Sequence, residues 1–138
     1  VGGLKVGMEV SVACPEGYDP DPKVLEFAQN CGGKFTLCRD PKEAAAGADA
    51  MFTDVWASMG QEGEAQARRA VFEGVYQINS ELMALTNSGC MVQHCLPAHR
   101  GEEITADVFE AHANEIFDEA ENRLHAQKAV MYLLMGEQ

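Results

Sequence analysis

Positive charge is scarce in this 138-residue chain. Its 10 Lys and Arg stand against 22 Asp and Glu, a formal net charge of −12 with a pI near 4.6. Nucleic-acid and anionic-membrane surfaces cluster cations that displace counterions from phosphates, so this balance speaks against both as partners. Long apolar runs are also missing. No segment approaches the roughly 20 residues that a membrane helix requires, and the first residues lack the basic-then-apolar pattern of a secretion signal. The cysteines, at 14, 31, 38, 90 and 95, are odd in number and contain no Cys-x-x-Cys pair. A disulfide framework and a zinc knuckle are therefore not expected, and no metal or cofactor is called for. Most of these thiols read as reduced, small core residues. Internal repeats, low-complexity tracts and linkers are absent. With 46% apolar and 23% charged residues, the chain reads as one folded domain over residues 1–138, soluble and cytoplasmic.

Strand and helix patterns alternate along the chain. Met8 to Ala13 alternates Met8, Val10 and Val12 against Glu9, Ser11 and Ala13, the period of a strand. Asp21-Pro22 supplies an N-cap with proline at the first helical position, and Val24, Phe27, Ala28 and Cys31 recur on one helical face until Gly32-Gly33. Lys34 to Cys38 is predicted as a second strand, Asp40-Pro41 opens a short helix ending near Gly47, and Ala50 to Asp54 is a third strand. Helices are predicted over Glu62 to Phe72 and Ser80 to Thr86, with a fourth strand over Cys90 to His94. A terminal helix from about Glu119 to Met135 is predicted to bury Ala126, Ala129, Val130 and Leu133. Such alternation implies an α/β fold, a doubly wound, mainly parallel, Rossmann-like sheet with flanking helices. Val1 to Gly7 has the pattern of the tail of a helix whose strand is missing, so the sheet is expected to lack its first strand. Ligands in these folds gather beyond the carboxyl ends of the strands, which directs attention to Asp54 and Cys95.

Three segments have unusual chemistry. Asp54-Val55-Trp56-Ala57-Ser58-Met59-Gly60-Gln61-Glu62 puts a carboxylate at a strand end and a hydroxyl four residues on, in a loop that enters a helix. Carboxylate and hydroxyl suit an ammonium, and helix-start amides suit a carboxylate, which together describe an amino acid. Ser58 as a plain helix cap, with Asp54 as a turn residue, is the structural alternative. Gln93-His94-Cys95-Leu96-Pro97-Ala98-His99-Arg100 leaves a strand through a thiol and a proline, and the proline is expected to hold Leu96 extended, its carbonyl free to face the cleft. His94 and His99 read as structural histidines in preference to metal or phosphate ligands. Glu119-Ala120-Glu121-Asn122-Arg123 opens the last helix with acids suited to its dipole, and Arg123 on its own would be an i, i+4 partner of Glu119.

Taken together, Asp-Val-Trp-x-Ser-Met-Gly-Gln-Glu, His-Cys-Leu-Pro and Glu-Ala-Glu-Asn-Arg resemble the ornithine carbamoyltransferases, in that family's order and over essentially the whole chain. The resemblance implies that Asp54, Ser58 and Met59 hold the amino and carboxylate groups of L-ornithine. It implies that Cys95 lies beside the reacting amine, that the Leu96 carbonyl accepts from the carbamoyl NH₂, and that Arg123 bonds the carbamoyl oxygen of carbamoyl phosphate. By the same resemblance the chain is part of a transferase that makes citrulline and phosphate, is trimeric at full length, and needs no cofactor. The family's Ser-Thr-Arg-Thr and His-Pro-x-Gln phosphate motifs do not occur here, so the chain is expected to be the ornithine-binding domain without its amino-terminal carbamoyl phosphate domain, and inactive alone. Two other readings remain at this point: a carbamoyltransferase for another amine such as putrescine, against which Ser58-Met59 argues, and a non-catalytic amino-acid-binding or assembly domain.

Overall fold

A computed structural model describes residues 1–57 and 62–136. A one-turn helix α1 (Gly2–Lys5) leads into strand β1 (Val10–Ala13), helix α2 (Pro22–Asn30), strand β2 (Phe35–Cys38), helix α3 (Pro41–Ala45) and strand β3 (Ala50–Thr53). A 3₁₀ turn at Glu62–Glu64 runs into helix α4 (Ala65–Phe72), followed by the short helix α5 (Ser80–Met83), strand β4 (Met91–His94), helix α6 (Ala106–Ala111) and the long helix α7 (Ala113–Met135). No helix among the described residues is long and apolar enough to cross a membrane.

Local chemistry explains the starts of the helices. The Asp21 carboxylate accepts from the Lys23 N–H at 2.8 Å, with Pro22 at the first helical position. Asp40 repeats the arrangement at α3, accepting from the Lys42 N–H at 2.9 Å ahead of Pro41. In both, the side chain satisfies an amide that the helix leaves unpaired, and proline occupies a place that needs no donor.

All strand pairing is parallel, as the α/β pattern requires, but the described strands form two pairs instead of one continuous sheet. β1 pairs with β2 in the register Val10 with Phe35 through Ala13 with Cys38. β3 pairs with β4 in the register Ala50 with Met91 through Thr53 with His94. Among the described residues no strand joins β1 to β3, so each keeps a single ladder partner. Helix α3 packs on β1, β2 and α5 and ties the halves together, helped by Gly47 N–H donating to the Leu85 carbonyl at 2.9 Å.

The main core lies on the β4 side. Ala45, Ile78, Leu82, Val92, Ile104, Val108, Phe109 and Ile116 form one buried cluster. Four sequence expectations need correction here. β1 begins at Val10, and Met8 ahead of it is exposed. α5 ends at Met83, short of Thr86, whose hydroxyl instead donates to the Met83 carbonyl at 2.8 Å. α6 had no counterpart in the sequence reading. The last helix begins at Ala113, six positions before Glu119, and Ala126, Ala129, Val130 and Leu133 are exposed, the last at 78%. Only the first turns of α7 meet β4 and bury Ile116; the rest projects past the domain, so its apolar residues have nothing here to pack against.

Candidate functional site

β3 and β4 are adjacent and parallel, so their carboxyl ends and the loops after them emerge side by side. This register brings two residues 41 positions apart into contact: the Cys95 thiol donates to Asp54 Oδ1 at 3.1 Å. The same carboxylate oxygen accepts from the Val55 N–H at 2.7 Å, which holds the acid at the strand end. Burial pushes the thiol pKa up, and the Asp54 hydrogen bond and charge push further, with Glu119 adding to the effect, to about 11. Cys95 is therefore a neutral thiol near neutral pH, its proton committed to Asp54 and its sulfur lone pairs free to accept.

A cavity of about 850 Å³ opens beside this pair, lined by Asp54, Trp56, Arg69, Leu96, His99 and Glu102 among others. Its size suits a small ligand. Aromatic packing sets one wall. Trp56 is buried and stacks on Phe72 of α4 at 6.0 Å between centroids, and Phe72 in turn meets Tyr18 edge-on at 5.0 Å.

The loop after β4 is held from inside. His94 and Glu103 are both fully buried, and His94 Nε2 lies 3.0 Å from Glu103 Oε1. His94 Nδ1 accepts from the Leu96 N–H at 2.9 Å. That bond requires an unprotonated Nδ1, so the ring donates through Nε2 to the carboxylate. Glu103 Oε1 also accepts from the His99 N–H at 2.6 Å. Burial alone raises the Glu103 pKa, but the bonds from His94 and His99 prevail and hold the carboxyl below its usual range. His94 is thus buried as a structural side chain with Glu103 as its partner, whereas His99 meets Glu103 through its backbone N–H and its side chain is 53% exposed.

Leu96 corrects an expectation. Its φ is +54°, in the left-handed region and not extended, ahead of a cis Leu96–Pro97 bond. The bond from its N–H back to His94 turns the chain, and the buried His94–Glu103 pair sustains a conformation that a bulky L-residue ordinarily avoids.

Not every predicted site residue gathers here. Asp54 and Leu96 line the cavity, and Cys95 adjoins it through its bond to Asp54. Ser58 and Met59 lie outside the described residues. Arg123 is exposed on α7 and does not line the cavity. The expected Glu119–Arg123 pair is not formed: Glu119 Oε2 is buried without a hydrogen-bond partner. Sequence reasoning missed Glu103, Arg69 and Glu102, the last two forming an ion pair at the cavity edge. It also missed Glu115, which accepts from the Val92 N–H at 2.9 Å and covers an outer-edge amide of β4. An acid nine residues after a strand-end histidine has no periodicity to mark it; only the returning turn makes them partners.

Fold and site together define a parallel α/β ligand-binding domain with a thiol–carboxylate pair at its strand ends. Comparison places it more narrowly: the chain belongs to the aspartate/ornithine carbamoyltransferase family, whose Asp/Orn binding domain matches residues 1–134. It is 53% identical to an ornithine carbamoyltransferase of Thermococcus kodakarensis over 99% of this chain and 44% of that protein. Among solved structures, anabolic ornithine carbamoyltransferase from Campylobacter jejuni superposes with a TM-score of 0.88 at 39% identity, covering 96% of this chain and 45% of the other. The Pyrococcus furiosus enzyme superposes with a TM-score of 0.86 at 50% identity, covering 99% and 45%. The chain thus spans under half the length of these relatives.

Proposed function

We propose that this chain is the ornithine-binding domain of an ornithine carbamoyltransferase, which moves the carbamoyl group of carbamoyl phosphate onto the δ-amine of L-ornithine to give L-citrulline and phosphate. The observation that carries the reading is the Cys95–Asp54 contact at 3.1 Å beside the cavity, which joins two of the motifs on which the family resemblance rests. Relatives at about half identity that bear this enzyme's name support it.

In this reading Asp54, Ser58 and Met59 bind the amino and carboxylate groups of ornithine. The Cys95 sulfur, whose proton points to Asp54, accepts from the δ-amine and orients its lone pair toward the carbamoyl carbon. As the C–N bond forms, the carbonyl oxygen gains negative charge, and Arg123 supplies a cation to it while the Leu96 carbonyl accepts from the carbamoyl NH₂. The C–O bond to phosphate then breaks and the amine loses its proton. Carbamoyl phosphate is held by an amino-terminal domain that the relatives' greater length has room for, and the full-length enzyme is a cytoplasmic trimer.

Protection of Cys95 from iodoacetamide tests the amino-acid site. L-norvaline, which has the α-amino and α-carboxylate groups but no reacting amine, is expected to slow alkylation of the 138-residue chain, whereas putrescine is not. Equal protection by putrescine, or none by norvaline, overturns the assignment. Citrulline formation by the chain alone overturns the division of labour between domains.

A further inference from the structure

The turn after β4 contains donors that the carbamoyl-transfer reading does not use. His99 N–H is bonded to Glu103, the His99 carbonyl accepts from the Glu102 N–H at 2.9 Å, and Gly101 takes a φ of +93°, so the chain doubles back on itself. Gln77 clamps the turn from outside by donating to the carbonyls of Gly101 and Glu102 at 3.0 and 2.7 Å. Ile104 then pairs with Ile78, and Ile78 N–H donates to the Glu103 carbonyl at 2.9 Å. These constraints bring one nitrogen of His99 and carboxylate oxygens of Glu102 and Glu103 within 4.8 Å of one another.

Glu103 is the telling member. Its side chain is fully buried, and Oε1 carries both of its hydrogen bonds, from His94 and the His99 amide. Oε2 is buried and accepts no hydrogen bond. It is aimed at His99 Nδ1, 4.0 Å away and outside bonding distance. A buried carboxylate oxygen without a donor is costly and calls for an ion or water to satisfy it. Chain-wide charge of −12 favours a cation.

We propose that His99, Glu102 and Glu103 form a binding site for a divalent transition-metal ion of the zinc or cobalt type, with His99 Nδ1 and Glu103 Oε2 as its fixed ligands and Glu102 completing a three-residue face. One imidazole and two carboxylates suit such borderline cations better than Mg²⁺, which keeps to oxygen and water. At metal–ligand distances near 2.0–2.2 Å, neighbouring donors of a tetrahedral ion lie about 3.3 Å apart. The His99 side chain is 53% exposed and free to close the difference from 4.0 Å. Arg69, now paired with Glu102, would yield its partner to the ion. The other grouping of such side chains, Asp54, His94 and Cys95, has its atoms committed: both His94 nitrogens are bonded, and the thiol donates to Asp54. Because Glu103 also holds His94, and His94 holds Leu96, an ion here bears directly on the loop beside the cavity. This site depends on the turn geometry and not on the identity of the substrate.

Cobalt(II) titration of the 138-residue chain, followed by visible absorption and calorimetry, tests it. The expected result is one ion per chain with d–d bands and no thiolate charge-transfer band. His99→Ala and Glu102→Gln should each weaken binding by about tenfold or more, while Cys95→Ser leaves it unchanged. His99 and Glu102 are partly exposed, so circular dichroism verifies that both variants fold. Absence of stoichiometric binding, a thiolate band, or affinity indifferent to His99→Ala and Glu102→Gln overturns the proposal.

Discussion

The two strand pairs are built alike and buried unlike. Around β4, Val92, Ile104, Phe109 and Ile116 are 0 to 2% exposed and the interior holds the buried, hydrogen-bonded His94–Glu103 pair. Around β1, the strand residues are half-buried or exposed, and the buried residues include Leu4, Pro15, Ala28 and two cysteines. Both pairs have four-residue parallel ladders. Stability is therefore set by what covers the ladder, not by the ladder itself, and the loop that bears Cys95 and Leu96 emerges from the better-covered half. A site that holds Leu96 at φ +54° needs that rigid support.

The largest contrast is expected from truncating one buried side chain in each half. Phe109→Ala should destabilise by about 4 kcal/mol, as large aromatic deletions in cores do, whereas Ala28→Gly in α2 should lose about 1 kcal/mol, the helix-propensity difference. Urea denaturation of both variants measures it, and equal losses would dissolve the distinction. Polar side-chain pairs should divide the same way. Glu103→Ala strands the buried His94 and costs about 3 kcal/mol; Glu9→Ala removes an exposed pair with Lys34 and should change stability by under about 1 kcal/mol.

Acid should weaken the β4 side in particular. Burial raises the carboxyls of Glu103 and Glu115, but hydrogen bonds outweigh it and hold both below the ordinary glutamate value. Their folded forms bind protons less readily than the unfolded chain does. Their contribution is thus complete above about pH 4.5 and is lost as pH falls through the lower folded values. Glu115→Gln, which removes one of these carboxylates from the β4 edge, should flatten the acid limb of a stability–pH profile; an unchanged slope would contradict this. The smallest effect concerns the thiol. With a pKa of about 11, Cys95 is roughly one part in a thousand thiolate at pH 8. Asp54→Asn removes the charge and weakens the hydrogen bond and should speed alkylation of Cys95 several-fold, with exposed Cys31 as the internal reference. A slower rate in the variant would reverse the assigned cause.

Much of this was legible residue by residue. Asp21-Pro22 and Asp40-Pro41 announced α2 and α3 because a cap and a proline act within three residues. Strand ends at Asp54 and Cys95 were legible because strand periodicity stops there. Burial of the last helix was not: Ala126, Val130 and Leu133 follow a helical stripe, yet a stripe states only which residues could pack together, and α7 leaves the domain before it finds a surface. Leu96 was misjudged because proline's local preference yields to the bond between its neighbour's N–H and His94.

By itself the sequence determined the parallel α/β class, the helix starts and the strand ends at which the candidate site residues stand, all of which rest on short-range patterns of polarity, capping and strand length. Tertiary structure alone decided that the Cys95 thiol donates to Asp54, that Glu103 stands behind His94, and that His99 faces an unpaired carboxylate oxygen. The reason is physical. These pairings depend on parallel register between β3 and β4 and on a turn closed by Gln77 and Ile78, interactions between residues far apart in the chain, which no local pattern encodes.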